Sequence, residues 1–503
     1  MSIVLDLIKK LDKLERSLYI FRHLSSAVEL DAMTAAPQDT AAGRSMVMEY
    51  LSNEQYKLFA SEETGILLNE LNSRKVMLPA LEVRRVELLK RSYDRMKAIP
   101  QDEYVKYDVL ISESQNVWVK AKRENDFASF APYLEKIVAA KLRFIGYWDP
   151  EHKRRPYDVL LEDYEYGLTV DTLDSFFAAV KETIVPLLRK IVEKGWQPDT
   201  SFIHGDFPVD QQRELSEFLM KTLTIDPAHC TIGETEHPFT LNFNRDDVRI
   251  TTHYYRNAPM SSFFSVMHEG GHALYELHTG DDLRWTCLAR GASSSIHESI
   301  SRFFENVIGR SRGFTAFVLP KMKELFPEQM KDVTEDAFYK AVNIAQPSLI
   351  RITADELTYC LHVMVRYEIE KALIGGEISV ADLPRVWNEK MKEYLGVDVP
   401  DDTNGVLQDS HWGSGSFGYF PTYALGNAYG LQMLERMKQD VNVEACCAKG
   451  ELEPVVFWLT ENVFKYGKTF DPIPLFEKYC GAKFTTEPYC RYLKEKFSDI
   501  YGL

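Results

Sequence analysis

The sequence predicts a mainly α protein with one small antiparallel β-sheet. Three observations predict it. Apolar residues recur at helical spacing through most of the 503 residues. Strict apolar–polar alternation is confined to residues 237–256. No internal repeat or low-complexity linker divides the chain.

At the N-terminus, Val4, Leu7, Leu11, Leu14, Leu18 and Phe21 form a stripe at spacings of three and four. Such a stripe is either a seam for another chain or the face of a helix packed on its own core. The second reading is preferred. Similar stripes run through EYLSNEQYKLFA, ALEVRRVELLKRSYDRM and SFFAAVKETIVPLLRKIVEKG, and breakers cluster at 195–210. In HPFTLNFNRDDVRITTHYYR the period changes to two. Phe239, Leu241 and Phe243 point one way. After a turn at 244–247, Val248, Ile250, Thr252 and Tyr254 share a face, while Arg249, Thr251 and His253 line the other. This pattern predicts a β-hairpin. Helices are expected again at about 261–278, 295–311, 319–326, 335–345, 352–373 and 380–394. Residues 396–423 hold five glycines and little periodicity. A long irregular segment in a compact domain is often functional, and its glycines would let it close over a ligand. Helical signals return from Ala424.

Composition narrows the function classes. Hydrophobic residues make up 45% and charged residues 27%, which is globular rather than disordered. The net charge of −16 argues against nucleic acid or an anionic membrane as partner. No run of 18 apolar residues offers a membrane span. Seven cysteines, with no C-x-x-C pair, fit a reducing compartment, and the expected location is the cytoplasm.

Six of the twelve histidines fall between 237 and 297, and they include His268-Glu269-Gly270-Gly271-His272. Histidines at i and i+4 share one helix face, so both rings can hold one Zn²⁺. The glutamate between them can then take a proton from water that the metal acidifies, from 15.7 to a pKa of about 7. Two mid-helix glycines cost about 1 kcal/mol each, so something must approach that backbone closely. A catalytic zinc has three protein ligands and an open fourth position. Glu298, 26 residues after His272, is the third candidate. Ser295-x-x-Glu298 also fits a capping box, which would occupy that carboxylate instead. Glu305 is a weaker alternative ligand. Glu276 lies a full turn beyond His272 and reaches the same ion poorly, and His297 is read as a support. With Arg302 four residues after Glu298, an acid that orients a ligand histidine must come from elsewhere.

These motifs occur in an order that resembles the carboxypeptidase Taq family of zinc metallocarboxypeptidases: HPF at 237–239, DVRIT at 247–251, HEGGHALYE at 268–276, HESISR at 297–302, IRITADELTY at 350–359, GVLQDSHW at 405–412 and GYFPTY at 418–423. The segment LDAMTAAPQDTAAGR, around Asp31, Pro37 and Arg44, is also similar. Ile300 and His253 depart from the family pattern, which usually has glutamine and arginine there. The resemblance implies His268, His272 and Glu298 as ligands and Glu269 as catalytic base. It also implies a single domain over 1–503, with a deep central groove and a small sheet beside the metal. Within it, 1–230 would wall the groove, 231–430 would hold the catalytic region, and 431–503 would add C-terminal helices. A homodimer, zinc with cobalt as a possible substitute, and peptide substrates with a free C-terminus are further implications.

A carboxypeptidase needs a cation for the C-terminal carboxylate, and arginine can bind it bidentately. Arg351 is the first choice, with a salt bridge to Asp355 as the competing structural role; Arg249 is the second candidate. Tyr423 is the first choice for an oxyanion donor, supported by Tyr419 and His411. His237 and Asp247 are assigned to substrate positioning beside the hairpin. The remaining alternatives are a zinc oligopeptidase using the same centre and a non-catalytic helical zinc protein.

Overall fold

The computed structural model describes residues 2–37 and 40–503, so Gln38 and Asp39 of the N-terminal motif lie outside the described residues. Helices dominate, from Ser2–Thr34 at one end to Glu487–Tyr501 at the other. The N-terminal stripe folds on its own chain. Val4, Leu7, Leu11 and Leu14 are buried with Phe59, Leu67, Leu68, Leu71, Val86 and Leu89 in a small core. A second, far larger core runs from Ala121 to Tyr501. Arg84 and Arg91 tie the small core to Asp471 at 2.8 and 2.9 Å.

The hairpin reading is right for two strands and incomplete for the sheet. Strand β1 is Cys230–Glu234, β2 is Thr240–Asn244 and β3 is Asp247–Thr252. Their order is β1-β3-β2; β2 pairs antiparallel with β3, while β1 pairs parallel. The sheet is therefore mixed rather than antiparallel. β1 was missed because CTIGE carries no alternation to mark it. Thr240 opposes Ile250 and Asn242 opposes Val248, so these four side chains share a face. Val248 and Ile250 are fully buried there. Thr240 and Asn242, the polar positions of β2, thus share the face of Val248 and Ile250.

Pro259–Leu277 is the helix that carries the histidine motif. Glycines permit close approach on two sides: a Cβ at Gly271 of this helix would lie 2.8 Å from Ser301 Cα, and one at Gly426 of the helix Phe420–Met437 would lie 2.8 Å from Glu298 Cγ. The helix Ser294–Arg302 is thus clasped between Pro259–Leu277 and Phe420–Met437. It continues as a π turn over Phe303–Ile308. The predicted helix at 352–373 starts later, at Tyr359, and Arg351 sits on a separate short 3-10 turn.

The glycine-rich segment is bolted down rather than free to close. Glu370 accepts from Tyr157 Oη at 2.6 Å, from Trp412 Nε1 at 2.8 Å and from the Gly418 amide at 2.8 Å. Trp118 Nε1 donates to the Leu407 carbonyl at 3.1 Å.

Candidate metal centre and substrate groove

Ligand atoms of His268, His272 and Glu298 all lie within 4.8 Å of one another. Glu298 Oε2 is 3.6 Å from His272 Nε2 and 4.0 Å from His268 Nε2. Tetrahedral zinc with bonds of about 2.0–2.1 Å would separate its ligands by roughly 3.3–3.5 Å, so the donor set fits such an ion with a small contraction. The competing capping role for Glu298 is not taken: Ser293 caps this helix, accepting from the Ile296 amide at 3.1 Å.

The support of each ligand is specific. His268 Nδ1 donates to Glu305 Oε2 at 2.9 Å. Glu305, considered as a ligand from sequence, is therefore placed to orient His268 instead. His272 Nδ1 lies 2.7 Å from His297 Nδ1, and His297 Nε2 lies 2.8 Å from Glu276 Oε1. If His297 donates to Glu276, its Nδ1 accepts from His272, and both histidines would present bare Nε2 lone pairs to a metal ion. Arg302 Nε donates to Glu298 Oε1 at 2.9 Å, and its Nη1 donates to Glu305 Oε2 at 3.0 Å. Burial alone would raise the Glu298 carboxyl, but Arg302 and the two histidines hold it well below the usual carboxylate range. The same balance of burial against Arg302 leaves Glu305 at about 2. Burial pushes His272 down to about 4, keeping it neutral.

Glu269 Oε2 accepts from Thr240 Oγ1 at 2.6 Å, and burial raises its carboxyl above the ordinary value. These groups open onto one cavity of ≈ 1590 Å³. It is lined by His268, Glu269, His272 and Glu298, by Arg351, Tyr419 and Tyr423, and by His237. Arg351 does not pair with Asp355. Its Nε and Nη2 donate to Asp409 Oδ1 at 3.0 and 2.8 Å, and its Nη1 donates to Tyr359 Oη at 3.1 Å. The Tyr423 ring lies 5.0 Å from its guanidinium and 5.1 Å from the Tyr419 ring. His411 stacks behind, 4.4 Å from Phe420 and 5.5 Å from Tyr419, and is not part of the lining. Arg249 and Asp247 are also outside it; they bind each other at 3.0 Å. Thr251 has a structural task. Its Oγ1 accepts from the Phe239 amide at 3.0 Å, which seats the His237-Pro238-Phe239 corner on the cavity rim.

Residues 10–497 match the family described as carboxypeptidase Taq (M32) metallopeptidase. The chain belongs to this family. It is 41% identical to carboxypeptidase 1 of Bacillus subtilis over 485 residues, covering 96% of each chain. It is 35% identical to thermostable carboxypeptidase 1 of Thermus thermophilus, over 95% of this chain and 96% of that one. The crystal structure of an M32 carboxypeptidase from Deinococcus radiodurans R1 superposes with a TM-score of 0.96 at 31% identity, covering 99% of this chain and 100% of that one. This M32 chain is a metallocarboxypeptidase, a hydrolase of peptide bonds. None of its described helices is long and apolar enough to cross a membrane.

The M32 resemblance was carried by motifs, but several working residues lay outside its obvious roles. Thr240 and Asp409 were not singled out. Glu298, Arg302 and Glu305 stand at i, i+4 and i+7. That spacing puts all three on one helix face and could have marked Glu305 as a support.

Proposed function

We propose that this chain is a zinc-dependent carboxypeptidase that releases single C-terminal residues from peptides, with Glu269 as general base. The observation that carries this reading is the shared cavity. The His268–His272–Glu298 trio, a Thr240-bound Glu269 and Arg351 all open onto it. Bound there, a divalent metal would supply Lewis acidity, lowering the pKa of water and polarising a carbonyl. His268, His272 and Glu298 hold that ion, and Glu305 and His297 fix the two rings. Glu269 takes the proton of the attacking water and returns it to the leaving amine. Its raised pKa suits both transfers, and the Thr240 hydroxyl fixes which oxygen faces the water. Tyr423, with Tyr419 against it, donates to the oxygen where charge develops; His411 packs behind them.

Arg351 anchors the C-terminal carboxylate. A guanidinium has five N–H donors, and three are committed to Asp409 and Tyr359. One N–H on each Nη remains for the substrate. His237 lines the rim as a positioning residue. Arg249 and Asp247 are kept only as strand supports. Cobalt as a substitute, a cytoplasmic location and a homodimer complete the proposal. The test compares one peptide with a free and with an amidated C-terminus. Cleavage of the free acid alone supports the reading; equal cleavage of both sinks it in favour of an oligopeptidase.

A further inference from the structure

From the metal centre the contacts lead in two directions. One runs from Glu298 through Arg302 to Tyr359 and Arg351. The other runs from His272 through His297 to Glu276, whose Oε1 also accepts from the Gly291 amide at 3.3 Å. Beyond Glu276 the same cavity is lined by Arg290 and Lys468, and further on by Arg84 and Arg91.

This second end is cationic, although the chain as a whole carries −16. The nearby carboxylates are already engaged. Asp471 serves both Arg84 and Arg91. Glu276 serves His297, Asn242 and Gly291. Glu162 and Asp163 are held by Arg154 and Arg95, each at 2.7 Å. Neither the Arg290 guanidinium nor the Lys468 ammonium makes an ion pair or side-chain hydrogen bond with any described residue. Behind them, Arg22 Nε is buried without a partner. The cations work against one another: burial first, then Arg290, lowers Lys468 and brings Arg22 down to about 10, with Glu276 opposing at longer range. Their backbone is nonetheless fixed. The Lys468 amide donates to the Leu288 carbonyl at 3.0 Å, and its own carbonyl accepts from Arg84 Nε at 2.9 Å. Unpaired cations on a rigid frame inside a groove are destabilising unless an anion joins them.

We propose that Arg290 and Lys468, backed by Arg22, form an anion subsite of the groove that takes a carboxylate of the peptide substrate. The carboxylate in question is an Asp or Glu side chain upstream of the scissile bond. Direction follows from geometry: Arg351 holds the C-terminus on the Tyr359 side of the metal, so the Glu276 side faces the residues that precede the cleaved bond. The inference rests on the carboxypeptidase reading above.

The experiment uses matched peptides that carry Glu or Gln at each of the upstream positions, with free and amidated C-termini. They are assayed on the zinc-loaded wild type, Lys468→Met, Arg290→Gln and, as a charge control, the exposed Lys57→Met. The expected result is a Glu-over-Gln preference of about tenfold in kcat/KM at one position, the scale of one close charge pair. It should shrink to within about twofold in Lys468→Met and Arg290→Gln and persist in Lys57→Met. The same ratio is read as Kd by calorimetry on Glu269→Gln, so a failure of hydrolysis does not silence the test. No preference in the wild type, or one that survives both substitutions, overturns the subsite. A loss that is equal for Glu and Gln peptides and confined to free C-termini would assign the cluster to the terminal carboxylate and overturn the upstream assignment.

Discussion

The two ends of the groove handle positive charge in opposite ways. At one end Arg351 is buried and bound to Asp409, which also accepts from Arg366 Nε at 2.7 Å. At the other, Arg290 and Lys468 line the wall with no ion pair to any described residue, and Glu276 reaches them only at longer range. A paired guanidinium is oriented before substrate arrives and can spare only its outer N–H groups, so it selects geometry. Unpaired cations select charge and wait for the ligand to neutralise them. The metal centre lies between, and each prediction below tests one part of this arrangement.

The largest effect is expected at the centre. Glu269→Gln should lower kcat by about 10²–10⁴-fold, the range for a lost general base, while zinc stays bound because Glu269 is not a ligand. Single-turnover hydrolysis alongside metal analysis checks both halves. Activity that survived the substitution would remove Glu269 from its role.

Next comes the paired end. Arg351→Ala should cost about 2–5 kcal/mol with free-acid peptides, because the substrate carboxylate loses its charged partner in a buried site. Asp409→Asn keeps the arginine but frees its fork, and should lose part of that amount. Measuring kcat/KM for both variants with free and amidated peptides separates anchoring from folding. If the two C-termini suffer alike, Arg351 is structural and the comparison between the ends collapses.

The ligand supports should show a smaller effect. Glu305→Gln and His297→Gln should each weaken metal affinity by about 10–100-fold, the usual cost of losing a group that orients a ligand. Competition with a chelator reads this directly. A carboxylate reaches His268 in one step, whereas His272 reaches Glu276 only through His297. Glu305→Gln should therefore have the larger effect of the two.

These arrangements were unevenly legible in the sequence. His268, Glu269 and His272 were readable because one helix turn fixes their relation, and no distant part of the chain is needed. Glu298 was readable only as a choice between ligand and cap, and it took Ser293 as the observed cap to remove the choice. The Arg351–Asp409 pair spans 58 residues and ends inside the glycine-rich segment, so no local period reports it. Asp355, four residues from Arg351, was the natural local guess; instead it accepts from the Gln346 and Thr358 amides. Thr240 was hidden because alternation in β2 does not say which of its faces meets the histidine helix. The real inward face carries Thr240 and Asn242 because they bind Glu269 and Glu276 of the neighbouring helix. The many-helix fold was legible from period alone. The parallel strand β1 was not, since five residues without alternation carry no signal.

The smallest expected effect is the one that separates the two ends most cleanly. Salt screens exposed charges over about 10 Å at 0.1 M and about 3 Å at 1 M, but hardly reaches buried pairs. Arg351 is buried against Asp409, so the proposed substrate contact would be made by a fork already held in place. Arg290 and Lys468 are only partly buried and make no ion pair with any described residue. Raising salt from about 0.05 M to 1 M should therefore lower kcat/KM for a peptide with an upstream Glu by a few-fold, mostly through KM. The Gln peptide should change by less than about twofold, because its only charged contact is at the Arg351 end. The measurement is a pair of salt titrations on otherwise identical free-acid peptides. Parallel lines would mean that the two ends attract substrate in the same way, and that leaving Lys468 without an ion pair has no consequence for binding.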